Sequence, residues 1–462
     1  MQLEDKFISG KQASRIVTKL GVEFVVIKNP DYIHPEFELY PLAPKIFHPV
    51  EKLTAAVMDM DGTTTTTESL CIHSLEYMIR KITRRDSKQN WQGLDPVKDY
   101  PHIIGNSTTK HVEYLIQTYQ PFIKTEALKQ AYFHAAFWFL FWGKDQKRIE
   151  EVRNNLVNLG CQDLLHDSEL NSLLKSPAIE SKSVGELTEK LLERYGSNFE
   201  TKSFSDIVRA AIDIYYQRYH EILGLIQVGK GEQLSTTILG QSTAHLIEPM
   251  PGVGEFLALV KGWLGEDIKH LLPQLVKVYR KKNAMSEQNL ADDRLAKNLS
   301  SLGRRFEAVP LKVAVVTSSI FYEAKIVMTE VFRVLQKQVE KWNISQPKKE
   351  MLVEKFSDYQ NIYDGFVTAS DSSEIRLKPH RDLYSIALHQ LGIPKEKFEQ
   401  VVGFEDSESG TISIRASGIG LCVAVPFSDT QHHDLRAATY ILKEGLPEAM
   451  LKYNLFLKKL NF

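Results

Sequence analysis

The sequence has few cysteines and almost no excess of charge, and these two absences exclude several classes of protein. Its 462 residues include three cysteines, Cys71, Cys161 and Cys422, whose spacing matches no metal site and which cannot all pair. We therefore expect a reduced, cytoplasmic protein rather than a disulfide-stabilised secreted one. The formal net charge of −1 gives no sign of a nucleic-acid partner or of an anionic membrane surface.

Long hydrophobic runs are missing as well. The most apolar stretch, 131–142, is shorter than the roughly 20 residues that a membrane-spanning helix needs. The first residues, Met-Gln-Leu-Glu-Asp-Lys, lack the apolar segment of a signal peptide, so we expect no membrane partner. The chain is long enough for two or three domains with their own cores, and its composition leaves the oligomeric state open.

Short apolar runs alternate with helical patterns along much of the chain. The runs cover residues 53–58, 313–316, 400–404 and 421–425. Runs of this length are typical of strands that are buried on both faces of a parallel sheet. Their alternation with helices predicts an α/β fold with a doubly wound, Rossmann-like parallel sheet.

The composition also predicts domain boundaries. Residues 51–68 and 250–462 contain the apolar runs and are expected to form the α/β core. Between them, 69–249 is rich in Leu, Lys, Glu and aromatic residues at helical spacing, which predicts a large inserted all-helical cap domain. Residues 1–50, with several prolines, are predicted to be an N-terminal extension, and 263–310 a second insertion within the core.

Polar side chains follow three of the apolar runs. Asp59-Met60-Asp61-Gly62-Thr63 follows the first, Thr317-Ser318-Ser319 the second, and Glu405-Asp406-Ser407 the third, with Lys378 between the last two. Because ligands of open α/β sheets bind beyond the carboxyl ends of the strands, we expect these groups to converge. Gly62, with Thr63 beside it, permits a tight turn and a close approach of the backbone to an anion.

The acidic residues of this set suit phosphoryl transfer. Asp59 is the candidate nucleophile, because an aspartyl-phosphate splits one difficult displacement into two easier ones. Asp61 is the candidate general acid and base, acting on the leaving oxygen and then on the attacking water. A Mg²⁺ held by Asp59, Asp406 and the backbone carbonyl of Asp61 would screen the phosphate charge, with Glu405 as a direct or water-mediated ligand.

Hydroxyl, amide and ammonium groups complete the predicted site. Thr317 would donate its hydroxyl and Ser318 its backbone N–H to phosphate oxygens, with Ser319 beside them. Lys378 would offset the charge of the phosphate and of Asp59. Pro379 follows the lysine and is a good first helical residue, so we expect a helix to begin there.

These stretches together resemble the four motifs of the haloacid dehalogenase-like hydrolase superfamily, in particular its β-phosphoglucomutase-like phosphatases with a helical cap. Residues 59–63 are similar to the first motif and Thr317 to the second, while 378–384 and 403–410 resemble the third and fourth. Residues 251–257 resemble the segment that re-enters the core after the cap. The resemblance implies a Mg²⁺-dependent phosphatase whose partner is a small phosphorylated metabolite, such as a sugar phosphate or a nucleotide.

The sequence departs from the family's pattern at several positions. Its cap is much longer than is usual for the family, and Arg381 stands in place of the second proline of the third motif. Gly105-Asn106-Ser107 resembles the substrate-contacting loop of the family's cap, although an ordinary helix N-cap at Ser107 fits the same residues equally well.

Two other functions remain open from the sequence. One is a phosphomutase of the β-phosphoglucomutase type, but that enzyme has a histidine where this chain has Cys71, with His73 nearby. The other is a non-catalytic binding protein on the same fold. The intact set of aspartates and lysine argues against it, because a scaffold does not need all of them.

Overall fold

The computed structural model describes residues 7–29, 33–85, 90–104, 107–175, 181–240, 245–282, 292–427, 430 and 432–458. The chain forms two compact units. The core unit comprises Met1–Thr66 and Ile247–Phe462, and the cap unit comprises Thr67–Leu246. No helix in the described part of the chain is both long and apolar enough to span a bilayer.

The strands of the core unit form a hairpin and a parallel sheet. They are β1 (Phe24–Lys28), β2 (Phe37–Pro41), β3 (Ala55–Asp59), β4 (Lys312–Val316), β5 (Gly365–Val367), β6 (Val401–Glu405), β7 (Leu421–Ala424) and β8 (Tyr440–Ile441). Among the described residues, β3 to β8 make one parallel sheet in the order β5-β4-β3-β6-β7-β8. The predicted doubly wound α/β sheet is therefore confirmed, and its order reverses beside β3, where such sheets bind ligands.

β3 lies in the middle of this sheet and is buried along its whole length. It pairs in parallel with β4 on one side and with β6 on the other, with Asp59 opposite Val316 and Met58 opposite Phe404. A strand with neighbours and helices on both faces needs apolar side chains on both faces, which explains the continuous apolar run. The three strands end at one edge of the sheet, so the residues that follow them lie side by side.

The α-helices of the described residues are, in chain order, α1 (Gly10–Leu20), α2 (Glu68–Thr83), α3 (Tyr100–Ile103), α4 (Thr108–Tyr119), α5 (Thr125–Trp142), α6 (Gln146–Asn158), α7 (Ser168–Leu174), α8 (Ser181–Tyr195), α9 (Phe204–Gln227), α10 (Glu232–Leu239), α11 (Val253–Val260), α12 (Leu272–Lys282), α13 (Asp292–Ala308), α14 (Phe321–Val339), α15 (Gln346–Lys355), α16 (Asp382–Gln390), α17 (Glu408–Ala416) and α18 (Gly445–Leu451).

The cap unit contains only helical secondary structure among its described residues. α9 begins at a capping box, in which Ser203 and Asp206 satisfy each other's backbone N–H groups. The apolar stretch 131–142 lies in α5, where Phe133, Phe137 and Phe139 are almost fully buried within the unit. A helix with apolar residues on most of its circumference is expected inside such a bundle.

The first fifty residues belong to the core unit. β1 and β2 pair as an antiparallel hairpin. After the hairpin, the backbone amide of Ala43 donates to the carbonyl of Arg415 at 2.9 Å. The fully buried guanidinium of Arg415 donates in return to the carbonyls of Ala43 at 2.6 Å and of Ala437 at 2.8 Å. These bonds attach the N-terminal segment to α17, the helix that follows β6.

Candidate active site

The turn after β3 fixes the backbone around Asp59. Its carbonyl accepts a hydrogen bond from the Thr64 hydroxyl at 2.6 Å, and the Gly62 amide donates to the carbonyl of Thr65 at 2.9 Å. Gly62 has a φ of +78°, and a Cβ atom there would lie 2.5 Å from Oδ2 of Asp406. The turn therefore requires glycine both for its backbone angle and for the close approach of the Asp406 carboxylate.

Lys378 joins the first and last polar stretches of the sequence. Its ammonium group donates to Oδ1 of Asp59 and, at 2.6 Å, to Oε1 of Glu405. The lysine side chain is 7% exposed and the two carboxylates 6% and 0%, so these ion pairs are shielded from water. Such a pair is costly to bury unless its remaining polar atoms are also bonded.

The carboxylate of Glu405 is stabilised in its buried position because five groups donate hydrogen bonds to it. Besides Lys378, its Oε1 lies 3.3 Å from the hydroxyl of Tyr384. Its Oε2 accepts the amides of Asp406 and Ser407, both at 2.9 Å, and the Ser407 hydroxyl at 2.8 Å. The adjacent Gly410 has no side chain, and a Cβ atom there would lie 1.7 Å from Oε1. A metal bound directly to Glu405 would have to displace one of these donors.

Burial and charge shift the pKa values of the central pair. Burial raises the pKa of Asp59 well above its usual range, and the Glu405 carboxylate adds to this, whereas Lys378 opposes it. Burial lowers the pKa of Lys378, but attraction to Asp59 and Glu405 outweighs burial, so the net pKa is raised. Lys378 is therefore a permanent cation, and further positive charge near Asp59 would favour its ionised form.

Asp61 is bonded to the second polar stretch. The hydroxyl of Thr317 donates to Oδ2 of Asp61 at 2.9 Å and accepts the amide of Ser319 at 3.0 Å. Thr317 is fully buried, and Ser318 and Ser319 are half-buried. The structure thus brings together the residues after β3 and β4 that the sequence predicts at one site.

The acidic residues fit a divalent cation. Asp59, Glu405 and Asp406 are buried, and each offers a carboxylate oxygen within 4.8 Å of the others. The Thr63 hydroxyl lies 3.4 Å from Oδ1 of Asp406, on the same side of the turn. Clustered buried carboxylates suit an oxygen-preferring ion such as Mg²⁺. Glu405 is already held by its five donors. The carboxylates best suited to bind the cation directly are therefore those of Asp59 and Asp406.

Two parts of the sequence prediction do not join this cluster: the loop at 105–107 and the helix expected at Pro379. Gly105 and Asn106 lie outside the described residues; Ser107, in the cap unit, is the N-cap residue of α4 but makes no side-chain capping bond. The helix expected at Pro379 begins instead at Asp382. The main chain around Lys378 is therefore a loop, which lets the side chain reach Asp59 and Glu405.

Two residues that support the site have no role in the sequence prediction: Thr64, which holds the Asp59 carbonyl, and Tyr384, whose hydroxyl bonds to Glu405. A helix cap is predicted from the sequence at Asp406-Ser407. The Ser407 hydroxyl accepts the Gly410 amide as the N-cap of α17 and also donates to Glu405. Tyr384 carries no such local signal, since its contact with Glu405 is long-range.

Comparisons with solved structures find chains that align with most of this one. One is CbbY from Rhodobacter sphaeroides in complex with phosphate, with 16% identity and a TM-score of 0.35, covering 88% of this chain and 100% of that one. A HAD family hydrolase from Deinococcus radiodurans, with bound phosphate and sodium, has 13% identity, a TM-score of 0.34 and coverage of 89% and 100%. The β-phosphoglucomutase from Clostridium difficile has 12% identity, a TM-score of 0.30 and coverage of 85% and 91%.

No family model matches the sequence, and no curated protein matches it. At such identities and TM-scores, the likeness to these structures supports no conclusion about this chain. The chemistry must therefore be inferred from the residues of the site.

Proposed function

We propose that the protein is a Mg²⁺-dependent phosphohydrolase that cleaves a small phosphate monoester, such as a sugar phosphate or a nucleotide, through an aspartyl-phosphate. One observation carries the proposal: the buried carboxylate of Asp59 is paired with Lys378 at the sheet edge where Asp406 also lies. Phosphoryl transfer to an aspartate needs a nucleophilic carboxylate, a fixed cation and further carboxylates that bind a metal ion.

In the first step, a carboxylate oxygen of Asp59 attacks the phosphorus of the ester. An Asp59–phosphorus bond forms while the bond from phosphorus to the alcohol oxygen breaks. The leaving oxygen takes its proton from the carboxyl group of Asp61. Asp61 is held by the Thr317 hydroxyl, which must turn from Asp61 if it is to donate to a phosphate oxygen.

In the second step, the Asp61 carboxylate takes a proton from water. The water oxygen attacks the phosphorus, and the bond between Asp59 and phosphorus breaks. Inorganic phosphate leaves, Asp59 is again a carboxylate and Asp61 is again protonated. The protons, bonds and charges thus balance over one hydrolysis, and no redox partner is needed.

Positive charge is needed throughout, because both the nucleophile and the substrate are anions. Lys378 supplies one fixed charge beside Asp59. Asp59, Asp406 and the backbone carbonyl of Asp61 would hold Mg²⁺, with Glu405 supporting them. When bound, the ion would lower the repulsion between carboxylate and phosphate and stabilise charge on the equatorial oxygens.

The direct test is phosphate release from a panel of phosphorylated metabolites, with Mg²⁺ and with EDTA. We expect turnover that requires the metal and that Asp59→Asn lowers by more than about 10³-fold, because the amide is a poor nucleophile. Asp163→Asn is the matched control, since the same change at an exposed position of the cap unit should leave the rate unaltered.

The other outcomes separate the alternatives. Isomerisation of sugar phosphates without phosphate release would identify a phosphomutase. Folded, metal-loaded protein that neither hydrolyses nor isomerises any member of the panel would contradict the proposal and favour a binding protein. Turnover that survives Asp59→Asn would exclude Asp59 as the nucleophile.

A further inference from the structure

Arg376 joins the two ends of the loop that carries Lys378. Arg376 donates from Nε and Nη2 to the two carboxylate oxygens of Asp382, at 2.8 and 2.9 Å. This fork joins the residues on either side of Lys378, from the turn before it to the first residue of α16. Bidentate pairs of this kind fix both distance and orientation.

The N-terminal hairpin contacts the same arginine from outside the loop. Nη1 of Arg376 donates to Oε2 of Glu38 at 3.0 Å and to the hydroxyl of Tyr40 at 2.8 Å. Both partners lie on β2. The guanidiniums of Arg376 and Arg381 also lie over the Tyr40 ring, at 5.8 and 5.5 Å from its centroid.

Tyr40 reaches the other side of the loop as well. Its hydroxyl donates to Glu38 and lies 3.2 Å from Nδ1 of His380, and the two rings pack edge to face. His380 is 5% exposed and Tyr40 6% exposed. The carbonyl of His380 accepts the hydroxyl of Ser413 on α17. Tyr40 therefore contacts residues placed two before and two after Lys378.

We propose that Tyr40 and Arg376 are positioning residues for Lys378, so that the N-terminal hairpin is a working part of the active site. This inference rests on the proposed phosphohydrolase function. A lysine side chain has a flexible stem, and its ammonium group acts as a point charge with no geometry of its own. The main chain at Lys378 must therefore be held by other groups, and the Tyr40–Arg376 contacts hold it on both sides.

The test compares Tyr40→Phe and Arg376→Ala with Tyr440→Phe. The control removes a hydroxyl that also joins the first fifty residues to the rest of the core unit, through the carbonyl of Phe47, but at a different place. Two quantities are measured in each protein: steady-state kinetics with the best phosphate ester, and acylation of individual lysines by acetic anhydride, read by peptide mass spectrometry.

We expect kcat to fall about 10-fold in Tyr40→Phe and about 100-fold in Arg376→Ala, with KM within about twofold, because small displacements of catalytic groups cost rate steeply. Acylation of Lys378 should rise in both variants. Lys261, which is 14% exposed and paired with Asp364, serves as the internal reference and should stay unchanged if the fold is intact. Tyr440→Phe should match the wild type in both measurements.

Unchanged kcat or unchanged Lys378 acylation in folded Arg376→Ala would overturn the proposal. If the acylation of Lys261 rises as well, the variant has unfolded, and Tyr40→Phe, which keeps the ring packing, decides instead. If the wild type hydrolyses no ester, the proposed function fails, whereas the acylation pattern still shows whether the hairpin positions Lys378.

Discussion

Gly62 is a residue at which the addition of a single methyl group should disturb the proposed metal site directly. Its φ of +78° strains any other residue, and a Cβ atom would lie 2.5 Å from Oδ2 and 2.7 Å from Cγ of Asp406. Gly62→Ala should therefore displace the Asp406 carboxylate, one of the two best suited to bind the metal. We expect a rise of about 10-fold in the Mg²⁺ concentration that gives half-maximal activity, in line with the sensitivity of metal sites to small displacements.

Gly229→Ala is the control for backbone strain alone. Gly229 has a φ of +74°, but nothing lies within 4 Å of the position that its Cβ would occupy. Both variants should lose stability by about 1 kcal/mol from the unfavourable backbone angle. Only Gly62→Ala should change the dependence on Mg²⁺; a normal metal titration in that variant would show that Asp406 is not where the ion binds.

At the scale of helices, Asp213 of α9 makes the stability of the cap unit depend on pH. Burial raises the pKa of this fully buried carboxyl to about 7, while Arg148, 3.9 Å away, and Asn155, which donates to it at 2.9 Å, oppose the shift. The native protein therefore holds a proton on Asp213 between pH 4 and 7 that the unfolded chain releases. Stability should fall as pH rises through this window, by up to about 4 kcal/mol.

Asp213→Asn removes this titrating group and should flatten the dependence. The measurement is the urea midpoint of the cap transition at pH 5 and pH 7.5, with Asp163→Asn as the control at an exposed position. We expect the wild type and the control to lose stability between the two pH values and Asp213→Asn to lose less. Equal losses in all three proteins would mean that Asp213 does not titrate in this range.

The predicted elements also differ in how well their local sequence determines them. The runs 53–58, 313–316, 400–404 and 421–425 correspond to β3, β4, β6 and β7, because strands that are buried on both faces need continuous apolar residues. β5 and β8 were missed, since three and two residues are too short for any periodic signal. The helix expected at Pro379 was wrong because side-chain bonds across the loop, such as Arg376 to Asp382, hold the residues around Lys378 and delay the helix to Asp382.

For the molecule as a whole, the sequence predicts which groups meet but not how they are bonded. Parallel strands that share an edge are enough to bring Asp59, Thr317 and Asp406 together. The bonds between Thr317 and Asp61, and the support of the Lys378 loop by Tyr40, join residues separated by hundreds of positions. No periodicity or motif encodes such contacts, so they become visible only in the folded chain.

The proposed mechanism requires that Asp59 carries the phosphoryl group during turnover. The most direct measurement is a rapid quench of the wild-type protein in acid during turnover with Mg²⁺ and its best substrate, followed by peptide mass spectrometry. We predict that the peptide containing Asp59 gains the mass of one phosphoryl group, and that the gain is lost in EDTA and in Asp59→Asn. Steady turnover with the phosphoryl group on another residue, or on none, would contradict this mechanism.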